Sequence, residues 1–376
     1  MNIQKFSIGP QFIFGKGSTQ EIGNLSIKKA YIICDPFMEK SEMVNKIVDV
    51  LKKSGAESKI FSKVVPDPTI EVVSQSVGEI MEYHPDTVIA LGGGSAIDTA
   101  KAVVKIYSES AQVAKPFVIA VPTTSGTGSE NTSFAVISDP LNNEKIALVD
   151  ESLIPDFALL DTDFTMSVPA TVTADAGMDV LTHCLEAYVS SQATDFSDAC
   201  AEKGLRMTWK YLYETFKNGN NQYARERMHN ASSIAGIAFN NAGLGIVHSL
   251  SHAMGAFFHV PHGRINTMLL PHVISFNASL DENKETEITV RYGKAAKILH
   301  INGTTAKQSV ISLNIGISRM AHQMNMPMTL EEMKINREEF IEKIPEMAQR
   351  AFSDACTATN PRKVTVEQLE KIYRSL

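Results

Sequence analysis

Two periodicities divide the chain. From Ala30 to Val121 short apolar runs alternate with helix-period stretches. Ala30 to Cys34 (AYIIC) reads as a buried strand, Met43 to Lys53 as a helix and Lys59 to Phe61 as a second strand. Ile70 to Met81 reads as a helix, Thr87 to Leu91 (TVIAL) as a strand, Ala96 to Tyr107 as a helix and Phe117 to Val121 (FVIAV) as a strand. Such alternation implies a parallel sheet with helices on its faces. Phe134 to Leu160 reads as β-strands around the turn Asp139-Pro140-Leu141-Asn142-Asn143. After Pro169 the pattern is almost wholly helical, through Ala174–Ser190, Asp195–Phe216, Tyr223–Phe239 and Gly245–Phe258. The expected architecture is an α/β N-terminal domain with a parallel sheet, residues 1–177, and an all-α C-terminal domain, residues 178–376. No repeat or low-complexity linker separates them, so close packing is expected, and a cleft between them is the default ligand site.

Composition narrows the function classes. At 44% hydrophobic residues the chain can bury a sizeable core. The net charge of -7 and dispersed basic residues give no electrostatic reason to bind nucleic acid or anionic membrane surfaces. No segment carries ~18 consecutive apolar residues, and the N-terminal stretch lacks a signal peptide's apolar core. Cys34, Cys184, Cys200 and Cys356 are widely spaced and form no CxxC, which fits a reducing cytoplasm.

Leu91-Gly92-Gly93-Gly94-Ser95-Ala96-Ile97-Asp98 follows a strand and opens a helix. Glycines let a phosphate approach the backbone, and a helix N-terminus offers free N–H groups and a positive dipole end. The bland alternative is a tight turn, but three glycines at this junction favour a phosphate; no GxGxxG occurs. Asp35, ending the first parallel strand, is either a turn aspartate before Pro36 or a partner for an adenosine ribose that would repel a 2′-phosphate. Pro122-Thr123-Thr124-Ser125-Gly126-Thr127-Gly128-Ser129-Glu130 is either a polar loop or part of a nucleotide channel.

Asp179 and His183 stand four apart on a predicted helix, hence on one face one turn apart. His248 and His252 repeat the spacing, and His259 and His262 follow. Five of the ten histidines fall between positions 248 and 272. Any one histidine is best read as structural; the cluster plus the Asp-x-x-x-His helix points to a metal. His84, His229, His300 and His322 are isolated and read as structural, and Glu186, seven residues after Asp179, either approaches the same face or, the preferred reading, serves on the surface.

Together these segments resemble the iron-containing, or group III, alcohol dehydrogenase family. The matching motifs are GGGSAID at 92–98, PTTSGTGSE at 122–130, GMDVLTHCLEAYVS at 177–190, GIVHSLSHAMGAFFHVPHGRIN at 245–266, LLPHVISFN at 269–277 and NPR at 360–362. Within the family the chain is similar to propanol and 1,3-propanediol dehydrogenases. The resemblance implies metal ligands Asp179, His183, His248 and His262. It makes His252 a substrate-side histidine that does not ligate the metal, the expected proton relay. It places cofactor contacts at Asp35, Asp67, Gly94, Ser95, Thr123, Thr124, Thr132, Phe134 and Lys145, with the pyrophosphate on Gly93, Gly94 and Ser95. Asp67 departs from the Asn of many members, Ala96 replaces a common Pro, and His259, without a clear family role, reads as an outer-shell or structural residue.

The implied reaction interconverts a small primary alcohol and its aldehyde with NAD, NADP being the less expected cofactor. Fe²⁺ is the expected metal and Zn²⁺ an alternative, because four protein ligands plus substrate need five or more coordination places. A homodimer or larger homo-oligomer in the cytoplasm is expected, and enzymes of this type also work inside bacterial microcompartments. Competing readings are an NAD-dependent metal lyase or synthase of the dehydroquinate synthase kind, a polyol dehydrogenase on the same scaffold, and a metal hydrolase. A synthase needs several cations facing the metal, and 245–266 supplies only Arg264.

Overall fold

The computed structural model describes residues 3–141, 144–282 and 284–376. The chain divides into two compact units, one spanning Ile8–Val168 and the other Pro169–Leu376 together with the residues that precede Ile8. The expected boundary lay after residue 177; the helix carrying Asp179 starts at Ala170, so its first turns belong to the helical unit.

The first unit has strands β1 (Gln11–Phe14), β2 (Lys29–Cys34), β3 (Glu57–Phe61), β4 (Thr87–Gly92), β5 (Phe117–Pro122), β6 (Phe134–Asp139), β7 (Glu144–Val149) and β8 (Phe157–Leu160). Its helices are α1 (Pro36–Lys40), α2 (Asn45–Lys53), α3 (Ile70–Tyr83) and α4 (Gly94–Ala111). Six strands form a parallel sheet in the order β1-β8-β5-β4-β2-β3. Successive side chains leave opposite faces. Tyr31, Ile33, Val88, Ala90, Val118 and Ala120 pack with α3 and α4 on one face. Ala30, Ile32, Cys34, Ile89, Leu91, Ile119 and Val121 pack with α2 on the other. Burial on both faces is why these strands read as continuous apolar runs.

β6 and β7 form the antiparallel pair expected beyond Phe134. Of the turn between them, Asn142 and Asn143 lie outside the described residues. β1 and α1 were not expected. β1 is four residues long and gains its order by pairing with β8. α1 begins with Pro36 and is capped by Asp35.

From β2 the chain runs outward to β3 and then returns to β4 on the other side of β2. That reversal is a topological switch point, and ligands of parallel α/β sheets bind outside the carboxyl ends of the strands there. The residues at those ends are Asp35 after β2 and Gly92–Ser95 after β4.

The second unit contains α5 (Ala170–Val189), α6 (Asp195–Lys217), α7 (Gln222–Ala242), α8 (Ile246–Phe258), α9 (His262–Asn277), α10 (Glu287–Ile298), α11 (Ala306–Gln323), α12 (Arg337–Ser353) and α13 (Val366–Arg374). α5 is its centre: every residue from Gly177 to Ser190 is buried. α5 therefore carries Asp179, His183 and Glu186 into the interior, where each needs a partner. No helix among the described residues is long and apolar enough to cross a membrane.

Candidate active site

Three helices of the second unit aim side chains at one point. Asp179 and His183 come from α5, His248 from the first turn of α8, and His262 is the first residue of α9. The Nε2 atoms of His183, His248 and His262 lie 3.6, 3.6 and 3.7 Å from Asp179 Oδ1. Donors bound to one ion at ~2.1 Å with tetrahedral angles stand about 3.4 Å apart, close to these three separations. The ligand atoms of Asp179, His248 and His262 all lie within 4.8 Å of one another, and His183 borders that group through Asp179. Three imidazoles and a carboxylate are donors that iron and zinc both accept.

Asp179, His248 and His262 are each aimed by a second contact. His248 Nδ1 donates to Glu186 Oε2 at 2.5 Å, which turns its Nε2 towards Asp179. Glu186 Oε1 also accepts from Val247 N at 2.7 Å, so one carboxylate fixes both the ring and the start of α8. The surface reading of Glu186 is therefore corrected: only 4% exposed, it anchors His248, a candidate metal ligand. Burial pulls the His248 imidazole down, yet Glu186 and Asp179 outweigh it and lift its pKa to about 9, so an incoming ion displaces a proton. Burial would raise Asp179, but the three surrounding imidazoles hold it below the usual carboxylate range.

His262 Nδ1 lies 3.0 Å from Ser251 Oγ. Arg264 grips Asp175 of α5 through two nitrogens at 2.8 and 3.1 Å, tying the first turn of α9 to α5. Gly263 makes that approach feasible: a Cβ there would lie 2.1 Å from the Asp175 carbonyl oxygen. Asn266, one turn beyond His262 and fully buried, donates Nδ2 to Asp179 Oδ1 at 2.7 Å.

His252 stands beside this set rather than in it. Its ring stacks on His262 at 5.1 Å between centroids. Its Nδ1 is 2.9 Å from Asp354 Oδ2, which leaves Nε2 free to exchange a proton. Asp354 also accepts from Cys356 N at 2.8 Å. Burial would raise the Asp354 carboxyl, but His252 and the Cys356 amide hold it low. His84 and His300, set aside as structural, and His259 sit at left-handed backbone positions with φ 51, 60 and 51°, and His84 and His259 close the C-termini of α3 and α8.

The α/β unit places Asp35, Gly93, Gly94, Ser95, Thr123 and Thr124 at the carboxyl ends of β2, β4 and β5, whereas Asp67 follows β3 and Thr132, Phe134 and Lys145 belong to the β6–β7 region. Gly93 is the N-cap of α4, and no side chain makes a capping hydrogen bond to that helix start. Cys34 pairs with Leu91 across β2 and β4, so Asp35 falls next to the glycine turn. Asp35 Oδ1 accepts from Phe37 N and Met38 N at 2.7 and 3.1 Å, so the turn reading of Asp35 holds in part. Its Oδ2 faces Gly92, 3.6 Å from where a Cβ would sit. Thr123 and Thr124 follow β5, paired to β4 through Pro122 and Gly92. The hydroxyl-rich loop presses on the glycines, since a Cβ on Gly94 would come within 2.9 Å of Thr127 Cγ2. Asp67 and Lys145 meet in an exposed ion pair at 2.7 Å. Thr132 is fully buried and its hydroxyl accepts from Lys101 Nζ at 2.8 Å. The Phe134 carbonyl accepts from the same Nζ at 2.9 Å.

Sequence reasoning missed Asn266, Ser251, Asp354 and Lys101. Asn266 follows His262 by one helical turn, a spacing that could have marked it. Asp354 lies 102 positions from His252 and carried no local signal.

Comparison with known proteins bears on both units. The profile described as iron-containing alcohol dehydrogenase matches residues 9–162. The profile described as Fe-containing alcohol dehydrogenase family, C-terminal, matches residues 173–376. The chain is 40% identical to the 1-propanol dehydrogenase PduQ of Citrobacter freundii, over 100% of both chains. It is 36% identical to the NADPH-dependent butanol dehydrogenase of Clostridium saccharobutylicum, over 99% of this chain and 97% of that one. A solved structure of 1,3-propanediol oxidoreductase superposes with a TM-score of 0.91 at 28% identity, covering 100% of both chains.

Proposed function

Because the chain belongs to the iron-containing alcohol dehydrogenase family, we propose that it interconverts a short primary alcohol, of the propanol or small-diol kind, and its aldehyde with NAD. The observation that carries the reading is the convergence of three imidazole Nε2 atoms on Asp179 Oδ1 at 3.6 to 3.7 Å.

Asp179, His183, His248 and His262 would hold Fe²⁺, with Zn²⁺ as an alternative occupant. Such an ion lowers the pKa of an alcohol O–H and polarises an aldehyde carbonyl. The protein's own residues do the rest. Asp179 supplies the negative charge of the set, and Glu186, Ser251 and Asn266 keep its members aimed. His252, its Nδ1 bound to Asp354, accepts the alcohol's proton through Nε2 and returns it in aldehyde reduction. In the α/β unit the open N-terminus of α4 with Gly93, Gly94 and Ser95 takes the pyrophosphate, supported by Thr123 and Thr124. Asp35 Oδ2 accepts from the adenosine ribose and repels a 2′-phosphate, which favours NAD over NADP. Asp67, Lys145, Thr132 and Phe134 complete the cofactor residues of this reading. Cytoplasmic location, with a microcompartment as an alternative, and a homodimer or larger assembly rest on family likeness alone.

The synthase alternative loses its main support in the helical unit. Arg264, the only cation of 245–266, is already neutralised by Asp175, so it is not held in readiness for a phosphorylated or carboxylated substrate. The test is NADH oxidation with propanal, and NAD reduction with two- to four-carbon alcohols and diols, on anaerobically iron-loaded protein. Turnover with a primary alcohol or its aldehyde is expected; absence of any nicotinamide-linked turnover across that set would overturn the proposal.

A further inference from the structure

Lys101 is a buried charge that the reaction above does not use. It sits on α4 and is 2% exposed. Its Nζ lies 2.6, 2.8 and 2.9 Å from the carbonyl oxygens of Ser129, Thr132 and Phe134. The hydroxyls of Ser129 and Thr132 lie at 3.2 and 2.8 Å. An ammonium has three protons and cannot serve five oxygens one to one. The arrangement is an oxygen shell around a monovalent cation, held by ion–dipole attraction in a medium of low dielectric. The counter-charge is set one atom back: Ser129 Oγ donates to Asp98 Oδ1 at 2.6 Å, and Asp98 Oδ2 accepts from Val136 N at 3.0 Å. Burial lowers Lys101 to about 8 against the pull of Asp98 and Glu130, so it still carries its proton at neutral pH.

The shell is built from the hydroxyl-rich loop and the first residue of β6, while the cation is built into the helix whose N-terminus faces the glycine turn. We propose that Lys101 acts as a tethered monovalent cation that folds the segment between β5 and β6 around itself and so positions it for the dinucleotide. It is a positioning residue and touches no reactant. The proposal rests on the reading that this unit binds the nucleotide.

NADH fluorescence titration of the full chain tests it, with metal content measured in parallel. Lys101→Ala should weaken NADH binding by about tenfold or more while metal content stays at the wild-type level, since one decade reflects the loss of a single well-placed contact. Propylammonium, which replaces the deleted stem and charge, should restore most of the binding, whereas 1-fluoropropane, of similar size, neutral and no substrate, should not. A merely space-filling lysine would be rescued equally by both. Equal rescue, no rescue of a folded variant, or unchanged binding would each overturn the proposal. If Lys101→Ala does not fold, Ser129→Ala removes one shell oxygen and the bridge to Asp98; several-fold weaker NADH binding is expected, and wild-type binding would overturn it. Failure of the wild type to bind NADH would instead sink the nucleotide reading on which the proposal stands.

Discussion

In the helical unit the candidate site is made of side chains: one carboxylate and three imidazoles from three helices, with Asp179, His248 and His262 each held by a hydrogen-bonding neighbour. In the α/β unit the site is made mostly of backbone: an uncapped helix start, a glycine turn and a hydroxyl-rich loop wrapped around one buried ammonium. Under the proposed function the difference follows from the ligand. A divalent ion is small and tolerates donor displacements of only a few tenths of an ångström, which demands locked rotamers. A pyrophosphate is large, diffuse in charge and well served by N–H groups at a helix end. Single substitutions in the helical unit should therefore act sharply and through metal content. In the α/β unit they should act mildly and through nucleotide affinity.

The largest expected effect is at a ligand. His262→Ala should lower metal occupancy and turnover together, by about 10³-fold in rate, since several kcal/mol of charge stabilisation leaves with the ion. Elemental analysis beside rate measurement decides it; full metal content with normal activity would remove His262 from the set. His252→Ala should separate from it by keeping the metal while kcat falls roughly 10²-fold, the scale of a lost proton transfer. Metal loss in that variant would mean that His252 is a ligand.

Glu186→Gln sharpens the same contrast one bond further out. Gln keeps an acceptor for His248 Nδ1 but loses the charge and one of the two accepting oxygens, of which the second now serves Val247 N. Metal affinity, measured by chelator competition, should fall 10- to 100-fold, the usual cost of disturbing a ligand's hydrogen-bond partner. NADH binding should not change. Unaltered metal affinity would mean that α8 packing alone aims His248.

How far these parts were legible depends on how local their causes are. Asp179 and His183 share a helix face at a four-residue spacing, and the sheet strands declare themselves because both faces are apolar. Glu186 sits on the same face as Asp179 and was still misplaced: seven-residue spacing gives direction, but burial comes from α5 being covered on all sides. Asp354 meets His252 across 102 positions, and Lys101 is buried only because a loop some 30 residues later folds over it, as its 28-residue separation from Ser129 shows. Such contacts are made by topology, and no window along the chain contains them. β1 escaped because four residues are too few for a period, and its order comes from β8.

The smallest effect tests whether the backbone-built site has any side-chain selectivity at all. Asp35 divides its carboxylate: Oδ1 caps α1 through Phe37 N and Met38 N, and Oδ2 faces Gly92 at the switch point. Capping costs the carboxylate one oxygen and holds the other in place, as recognition of a ribose requires. The wild type should prefer NAD, although the butanol dehydrogenase relative is NADPH-dependent. Asp35→Gly removes the charge that repels a 2′-phosphate and opens space, while glycine at an N-cap costs a helix only a few tenths of a kcal/mol. The ratio of kcat/KM for NADP to that for NAD should rise by about tenfold, and NAD binding should weaken slightly through the lost ribose contact. Because α1 is only five residues long, a loss confined to folding would lower both cofactors equally and leave the ratio alone. A ratio that does not move would leave Asp35 as a cap and nothing more, and the choice between the two nicotinamide cofactors would then lie with the loop that Lys101 holds.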